Sequence, residues 1–113
     1  MKRDAKIYLD DILESIIKIE QYLLLITETE FYTNTEKQDA VIRRLEIIGE
    51  AVKKLPKELK EQYSEIPWKQ MAGMRDVVIH EYFEVSLETV WRTLKNDLPN
   101  IKMKLENIRK NIQ

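Results

Sequence analysis

Residues 4–27 read DAKIYLDDILESIIKIEQYLLLIT, and this stretch decides the fold. Ala5, Leu9, Ile12, Ile16, Ile19, Leu23 and Ile26 recur in it at alternating steps of four and three. On an α-helix that spacing stacks the apolar side chains into one seam, here roughly seven turns long. Leu13, Ile17 and Leu24 widen the stripe, so the helix is expected to meet more than one neighbour.

The pattern continues outward from there. Residues 27–36 interrupt it. Thr33, Asn34 and Thr35 are residue types that cap helices, and residues 36–39 suit a first turn. A second helix then carries Val41, Leu45, Ile48, Val52 and Leu55 at the same spacing. Gly49 beside that stripe costs about 1 kcal/mol against alanine in a helix interior. A close crossing of two helices would explain it. Pro56 ends this helix, or starts a short one through residues 57–64. Pro67 opens another that runs to Tyr82 or Phe83. Ser86 can cap the last helix, in which Leu87, Trp91, Leu94, Leu98, Ile101, Leu105, Ile108 and Ile112 again step by four and three. Pro99 lies inside it and is expected to kink it, because proline removes a backbone donor and crowds the preceding turn.

Composition agrees. The chain has 113 residues, 43% hydrophobic and 35% charged, with two glycines and three prolines. Those breakers are too few for a loop-rich β-protein or a disordered chain. No cysteine is present, which excludes a disulfide scaffold, a thiolate metal site and a cysteine nucleophile. Apolar runs stop at four or five residues, far short of a membrane span. Met1-Lys2-Arg3-Asp4 does not read as the start of a secretory signal, so a cytoplasmic protein is expected. The expected fold is all-α: an antiparallel bundle of four to five helices forming a single domain over residues 1–113. A wide apolar stripe on so small a subunit also leads us to expect a homodimer.

The net charge of −1 argues against nonspecific coating of nucleic acid. Its distribution is uneven, with residues 1–50 at net −4 and residues 92–113 at net +4. The basic tail reads either as favourable charge at a helix C-terminus or as a phosphate-attracting surface.

One segment carries chemistry: Met71-Ala72-Gly73-Met74-Arg75-Asp76-Val77-Val78-Ile79-His80-Glu81-Tyr82. It holds the single histidine of the chain, with an arginine five positions before it, an aspartate four before it and a tyrosine two after. Histidine takes and gives protons near neutrality. Arginine presents a rigid, permanently charged fork that matches phosphate oxygens. Asp76, one turn before His80, can orient the imidazole and favour its charged form. Proton transfer beside a stabilised phosphate is what cleavage of RNA by its own 2′-hydroxyl requires, and that route needs no metal. The plain alternative is a capping or hydrogen-bonded His80, surface charges at Arg75 and Asp76, and a core Tyr82.

Helix geometry complicates a single-helix site. At about 100° per residue, positions 75 and 80 lie about 140° apart, whereas 75 and 82 nearly coincide. Either the helix distorts near His80 or another surface completes the site. A twofold dimer would bring two arginines and two histidines to one cleft, one histidine serving as base and the other as acid. Trp68 and Trp91 read as core or dimer-interface anchors rather than base-stacking platforms, and Met71 and Met74 as packing residues.

Arg75-Asp76-Val77-Val78-Ile79-His80-Glu81-Tyr82, an Arg-x4-His-x-Tyr arrangement, resembles the signature of HEPN-domain toxins of the HepT type. Ile66-Pro67-Trp68, Ala72-Gly73-Met74, Val90-Trp91 and Asp97-Leu98-Pro99 agree with it. So does Arg44-Leu45-Glu46-Ile47-Ile48-Gly49-Glu50-Ala51, and the likeness covers essentially the whole chain. The resemblance implies a helical bundle that dimerises with its two motifs facing a shared cleft. It implies a metal-independent ribonuclease acting on messenger or transfer RNA, with no cofactor. It also implies a partner, a minimal nucleotidyltransferase antitoxin of the MntA type that transfers AMP to the motif tyrosine and silences the toxin. On this chain Arg75 and His80 would be the catalytic pair, Asp76 a supporting residue and Tyr82 the modification site. Asp76 fits the polar position after the arginine, yet adds negative charge near a phosphate. The competing expectation is a non-catalytic helical subunit that binds a nucleotide or a nucleotidyltransferase.

Overall fold

The computed structural model describes residues 2–83 and 87–112, with the side chains of residues 2, 3, 75 and 77–83 outside the description. Among the described residues there are six helices and no strand: α1 (Lys2–Leu24), α2 (Glu28–Thr33), α3 (Thr35–Lys54), α4 (Lys57–Gln62), α5 (Trp68–Phe83) and α6 (Leu87–Asn111). The all-α expectation holds, and the count of four to five is corrected to six.

The difference is α2. Thr27 and Glu30 form a reciprocal cap: the Glu30 amide donates to Thr27 Oγ1 at 3.1 Å, and the Thr27 amide donates to Glu30 Oε1 at 2.8 Å. Two otherwise orphaned donors are satisfied, so a six-residue helix starts where the apolar seam stops. Phe31 anchors it at 1% exposure, its ring centre 5.5 Å from that of Trp91. The buried Gln38 side chain on α3 donates to the carbonyls of Phe31 at 2.8 Å and Tyr32 at 3.2 Å, which ties the last turn of α2 to α3. Accordingly α1 ends at Leu24, short of the expected residue 27.

The long helices bury the seams read from the sequence. On α1, Leu9, Ile12, Ile16 and Ile19 are wholly buried, with Ala5 and Leu23 nearly so. On α3, Val41, Leu45, Ile48 and Val52 are buried. Asn34 caps that helix, its Oδ1 accepting from the Lys37 amide at 2.9 Å. Leu55 falls just past the helix end but stays in the core, and Pro56 is the residue preceding α4. On α6, Val90 joins Leu94, Leu98, Ile101, Leu105 and Ile108 in the core, while Leu87, Trp91 and Ile112 pack at its edge. The helix runs through Pro99 without interruption. Position 86, expected to cap it, lies outside the described residues.

Helix order in space follows from contacts. Arg109 Nε lies 2.7 Å from Asp10 Oδ1, and Lys102 Nζ lies 3.0 Å from Glu20 Oε1. As α6 advances, α1 retreats, so the two are antiparallel. α1 packs along α3 and α6, and α5 packs along α3 with a smaller contact to α6. The four long helices therefore occupy the corners of a bundle, with α1 and α5 across from each other.

The same ion pairs give the basic tail a third explanation. Arg109 and Lys102 reach across to acidic groups on α1, and Arg92 pairs with Glu88 one turn away at 3.0 Å. The Glu20 carboxylate, accepting a hydrogen bond, holds the Lys102 ammonium above its usual pKa, and Asp10 does the same for Arg109. Lys102 and Arg109 thus set two basic groups of residues 92–113 against acidic groups of residues 1–50. No helix among the described residues is long and apolar enough to cross a membrane.

Candidate active site

The motif sits on α5, and packing at the start of that helix sets its position. Pro67 precedes the first turn, where the Met71 amide donates to the Pro67 carbonyl at 2.9 Å. Trp68 is 9% exposed, and its Nε1 donates to the carbonyls of Lys60 and Tyr63, both at 3.1 Å. Met71 and Met74, further along α5, are buried as well. Trp68 and both methionines are thus core residues, in line with the expected core or interface role for the tryptophan and packing role for the methionines.

The direction of α5 against α3 follows from three contacts. Lys60 Nζ donates to the Val52 carbonyl at 3.1 Å, so the α4 segment folds back on the end of α3. Trp68 in turn bonds the Lys60 carbonyl, which places the start of α5 beside the end of α3. One turn further along α5, Ala72 meets Gly49, one turn earlier on α3. A methyl group on Gly49 would lie 3.0 Å from the Ala72 carbonyl oxygen. The helices are antiparallel, and Gly49 is the close crossing that its place beside the apolar stripe implied.

Beside that crossing lies a cleft of about 530 Å³ between α1, α3 and α5. Tyr8 and Asp11 line it from α1; Arg43, Glu46, Glu50, Lys53 and Lys54 from α3; Ala72 and Asp76 from α5. Asp76 is exposed on the wall, and Glu46 is half-buried. Both carboxylates take part in polar contacts. Glu50 is 4.0 Å from Lys53. The lining mixes carboxylates with cations, so it can meet a polyanion only where the cations lie. Among the described residues no group of three or more histidine, aspartate and glutamate side chains is placed to hold a metal ion.

Arg75, His80 and Tyr82 all belong to α5. Their side chains lie outside the described residues, so the register of the helix is what can be stated. Position 80 is about 40° from position 76, positions 75 and 82 are about 20° apart, and 75 and 80 are about 140° apart. Position 80 is also within about 20° of Gly73, two turns earlier, where an added methyl group would meet nothing within 4 Å. The chain thus brings Asp76 to the cleft wall and strings the motif along one helix. Tyr8 and Asp11 entered no sequence-based reading of the site. They lie off the α1 seam, and only the packing of α1 and α5 on either side of α3 brings them to the cleft.

Comparison with known proteins points one way. The family described as Ribonuclease HepT-like matches residues 12–108. A gamma-glutamylcyclotransferase and candidate RNase of Methanocaldococcus jannaschii is 52% identical over 108 residues, 96% of this chain and 49% of the relative, so the chain spans about half the length of that protein. A probable ribonuclease HepT of Thermococcus cleftensis is 48% identical over 110 residues, 97% of this chain and 100% of the relative. A second candidate RNase of Methanocaldococcus jannaschii is 48% identical over 112 residues, 99% of this chain and 93% of the relative. No solved structure matches significantly.

Proposed function

The chain belongs to the HepT-like ribonuclease family, and from that premise we propose that it is a metal-independent ribonuclease toxin acting through Arg75 and His80 as a homodimer. The observation that supports the reading most is the placement of the motif helix. α5 is locked against α3 at Gly49 and Ala72, and it carries Asp76 onto the wall of a cleft of about 530 Å³.

The chemistry runs as follows. A neutral imidazole removes the 2′-hydroxyl proton, and the 2′-oxygen attacks the adjacent phosphorus. The Arg75 guanidinium stabilises the charge that builds on the phosphoryl oxygens. A protonated imidazole gives its proton to the departing 5′-oxygen, leaving a 2′,3′-cyclic phosphate. In a homodimer one His80 serves as base and the partner's His80 as acid.

Regulation uses Tyr82. A nucleotidyltransferase antitoxin of the MntA type transfers AMP from ATP to the phenol oxygen, which loses its proton as pyrophosphate leaves. Positions 75 and 82 are about 20° apart on the helix, two turns along, so the new phosphodiester is an anion near the guanidinium. It competes with substrate phosphate for Arg75 and fills the space of the scissile linkage.

The test is RNA cleavage in EDTA by the wild type, Arg75→Ala and His80→Ala proteins, each checked for intact helical content. The expected result is cleavage with cyclic-phosphate ends by the wild type alone. Full-rate cleavage by His80→Ala would reject the assignment. The acidic part of the cleft lining, Asp11, Glu46, Glu50 and Asp76, favours a second reading: a non-catalytic subunit that binds a nucleotide or a nucleotidyltransferase. That reading expects partner binding and no cleavage in a highly purified sample.

A further inference from the structure

We propose that the pocket between α5 and α6 is a nucleobase subsite, in which a single-stranded RNA seats one base on Met71 and Met74 and presents its hydrogen-bonding edge to Asn96 and Asn100. The proposal deepens the ribonuclease reading and rests on it for the effect on cutting, whereas binding of the base does not.

The pocket is separate from the cleft that Asp76 lines. It has a volume of about 520 Å³ and lies between the first half of α5 and the middle of α6. Position 72, at the cleft, and position 74, at the pocket, are about 160° apart around α5. The volume falls in the range of small-molecule sites, which combine apolar walls with a few placed polar groups. Met71, Met74 and Ile101 supply the apolar floor, and all three are buried. A thioether is polarisable and makes favourable contacts with aromatic rings, so two of them suit the face of a flat base.

The polar lining is of a particular kind. Gln70, Asn96 and Asn100 bring three side-chain amides, and among the described residues none of the three makes a side-chain hydrogen bond. Asn96 and Asn100 are one turn apart on α6, about 6 Å along the helix and about 40° around it, so they stand side by side. An amide offers a donor and an acceptor in one plane, which is the pattern along the edge of a base. The charged lining residues are Glu65, Asp97 and Lys104. Two carboxylates against one ammonium disfavour a phosphate, so the neutral end of a nucleotide is the part that enters. A carboxylate only accepts hydrogen bonds, which favours guanine, adenine and cytosine, whose amino groups donate, over uracil, which has no amino group.

The place of the pocket suits a substrate that continues toward the motif. Met74 directly precedes Arg75 in the chain. Position 80 is six residues beyond Met74, about 9 Å along the α5 axis. Successive bases in a stacked strand are about 3.4 Å apart, so that rise corresponds to about two or three nucleotides. Proteins that read single-stranded RNA hold unstacked bases by their edges and faces in this way. The seated base therefore belongs to a nucleotide near the cut linkage rather than at it, and its identity selects where the strand is cut.

Two measurements test this. In the first, methyl-labelled methionine NMR spectra of the intact protein are recorded with GMP, AMP, CMP, UMP and ribose 5-phosphate. The Met71 and Met74 signals, assigned from Met71→Leu and Met74→Leu, should move with the amino-bearing nucleotides and least with UMP, while Met103, exposed and outside the pocket lining, stays in place. Asn96→Ala and Asn100→Ala, at exposed positions, should keep the fold and each weaken binding by about tenfold. Equal shifts with ribose 5-phosphate, no Met71 or Met74 shift with any nucleotide, or binding untouched by both asparagine changes would overturn the proposal. The second measurement maps cuts in a mixed-sequence single-stranded RNA. The wild type should disfavour uracil at one fixed spacing from its cuts, and Asn100→Ala should erase that preference. Cutting without any base preference also overturns the proposal. A wild-type protein that cuts no RNA but shows the methionine shifts would sink the ribonuclease reading and leave the pocket standing.

Discussion

Gly49 and Ala72 meet across the α3–α5 interface so closely that a methyl group on the glycine would stand 3.0 Å from the alanine carbonyl oxygen. The obstacle is backbone, which cannot swing aside as a side chain would. Gly49→Ala should therefore gain about 1 kcal/mol in helix propensity and lose about 1–3 kcal/mol to overpacking. The net effect should lie between neutral and a loss of about 2 kcal/mol. Gly73, on the same α5 but with nothing within 4 Å of an added methyl group, is the control. Gly73→Ala should gain about 0.5–1 kcal/mol. Chemical denaturation of the two variants checks the pair. A stabilised Gly49→Ala would mean that the helices can move apart without cost.

Ser15 gives an opposite kind of test. Its side chain is wholly buried on α1, and its hydroxyl has no hydrogen-bond partner among the described residues. A buried hydroxyl without a partner costs about 1–3 kcal/mol, and alanine is the better helix former. Ser15→Ala should raise the unfolding free energy by about 1 kcal/mol, read as a higher denaturation midpoint at an unchanged slope. A comparable loss would show that the hydroxyl is bonded in solution.

These two sites also mark what the sequence could reveal. The α1 seam was legible because Leu9, Ile12, Ile16 and Ile19 repeat over many turns, and burial follows directly from that period. Gly49 was legible as a crossing because glycine in a helix interior calls for a reason, although its contact on α5 was not. α2 was missed because six residues are too short for a periodic signal. Its cue was local, Thr27 three residues before Glu30, and the caps at 33–35 drew the attention. The basic tail does end a helix, with Arg109 and Lys110 in the last turn of α6, but its ion pairs to α1 were hidden: Asp10 and Arg109 are 99 residues apart in sequence, and only antiparallel packing joins them. In the site, the motif on α5 stood out by residue type. The cleft wall supplied by Tyr8 and Asp11 depends on tertiary packing, which no spacing encodes.

Tyr32 links the fold to pH. Its hydroxyl donates to Glu28 Oε2 one turn earlier on α2. That hydrogen bond, with a smaller contribution from desolvation, pushes its pKa up from 10.0 to about 12. The folded chain holds the phenol proton more tightly than the unfolded chain does. The resulting stabilisation is complete below pH 10.0 and is lost as pH rises through about 12. Ultraviolet titration of the folded protein should show a tyrosinate forming near pH 12 that Tyr32→Phe removes and Glu28→Gln moves down. A Tyr32 titration unmoved by Glu28→Gln would exclude the carboxylate as its cause.

Asp76 offers the sharpest functional test among the described residues. It stands exposed on the cleft wall, about 40° around α5 from position 80 and one turn before it. Two effects of opposite sign meet there. Its charge opposes an incoming phosphodiester, which weakens binding. On the proposed ribonuclease reading, its carboxylate would also favour a charged and correctly turned imidazole, which would speed proton transfer. Asp76→Asn removes the charge and keeps the shape. Substrate should then bind more tightly while kcat falls by about tenfold, since general acid–base catalysis contributes about 10²–10⁴-fold and only part of it depends on orientation. A set of steady-state rates in EDTA separates the two parameters. If kcat holds and only the KM falls, Asp76 acts on binding alone, and His80 takes its orientation from elsewhere.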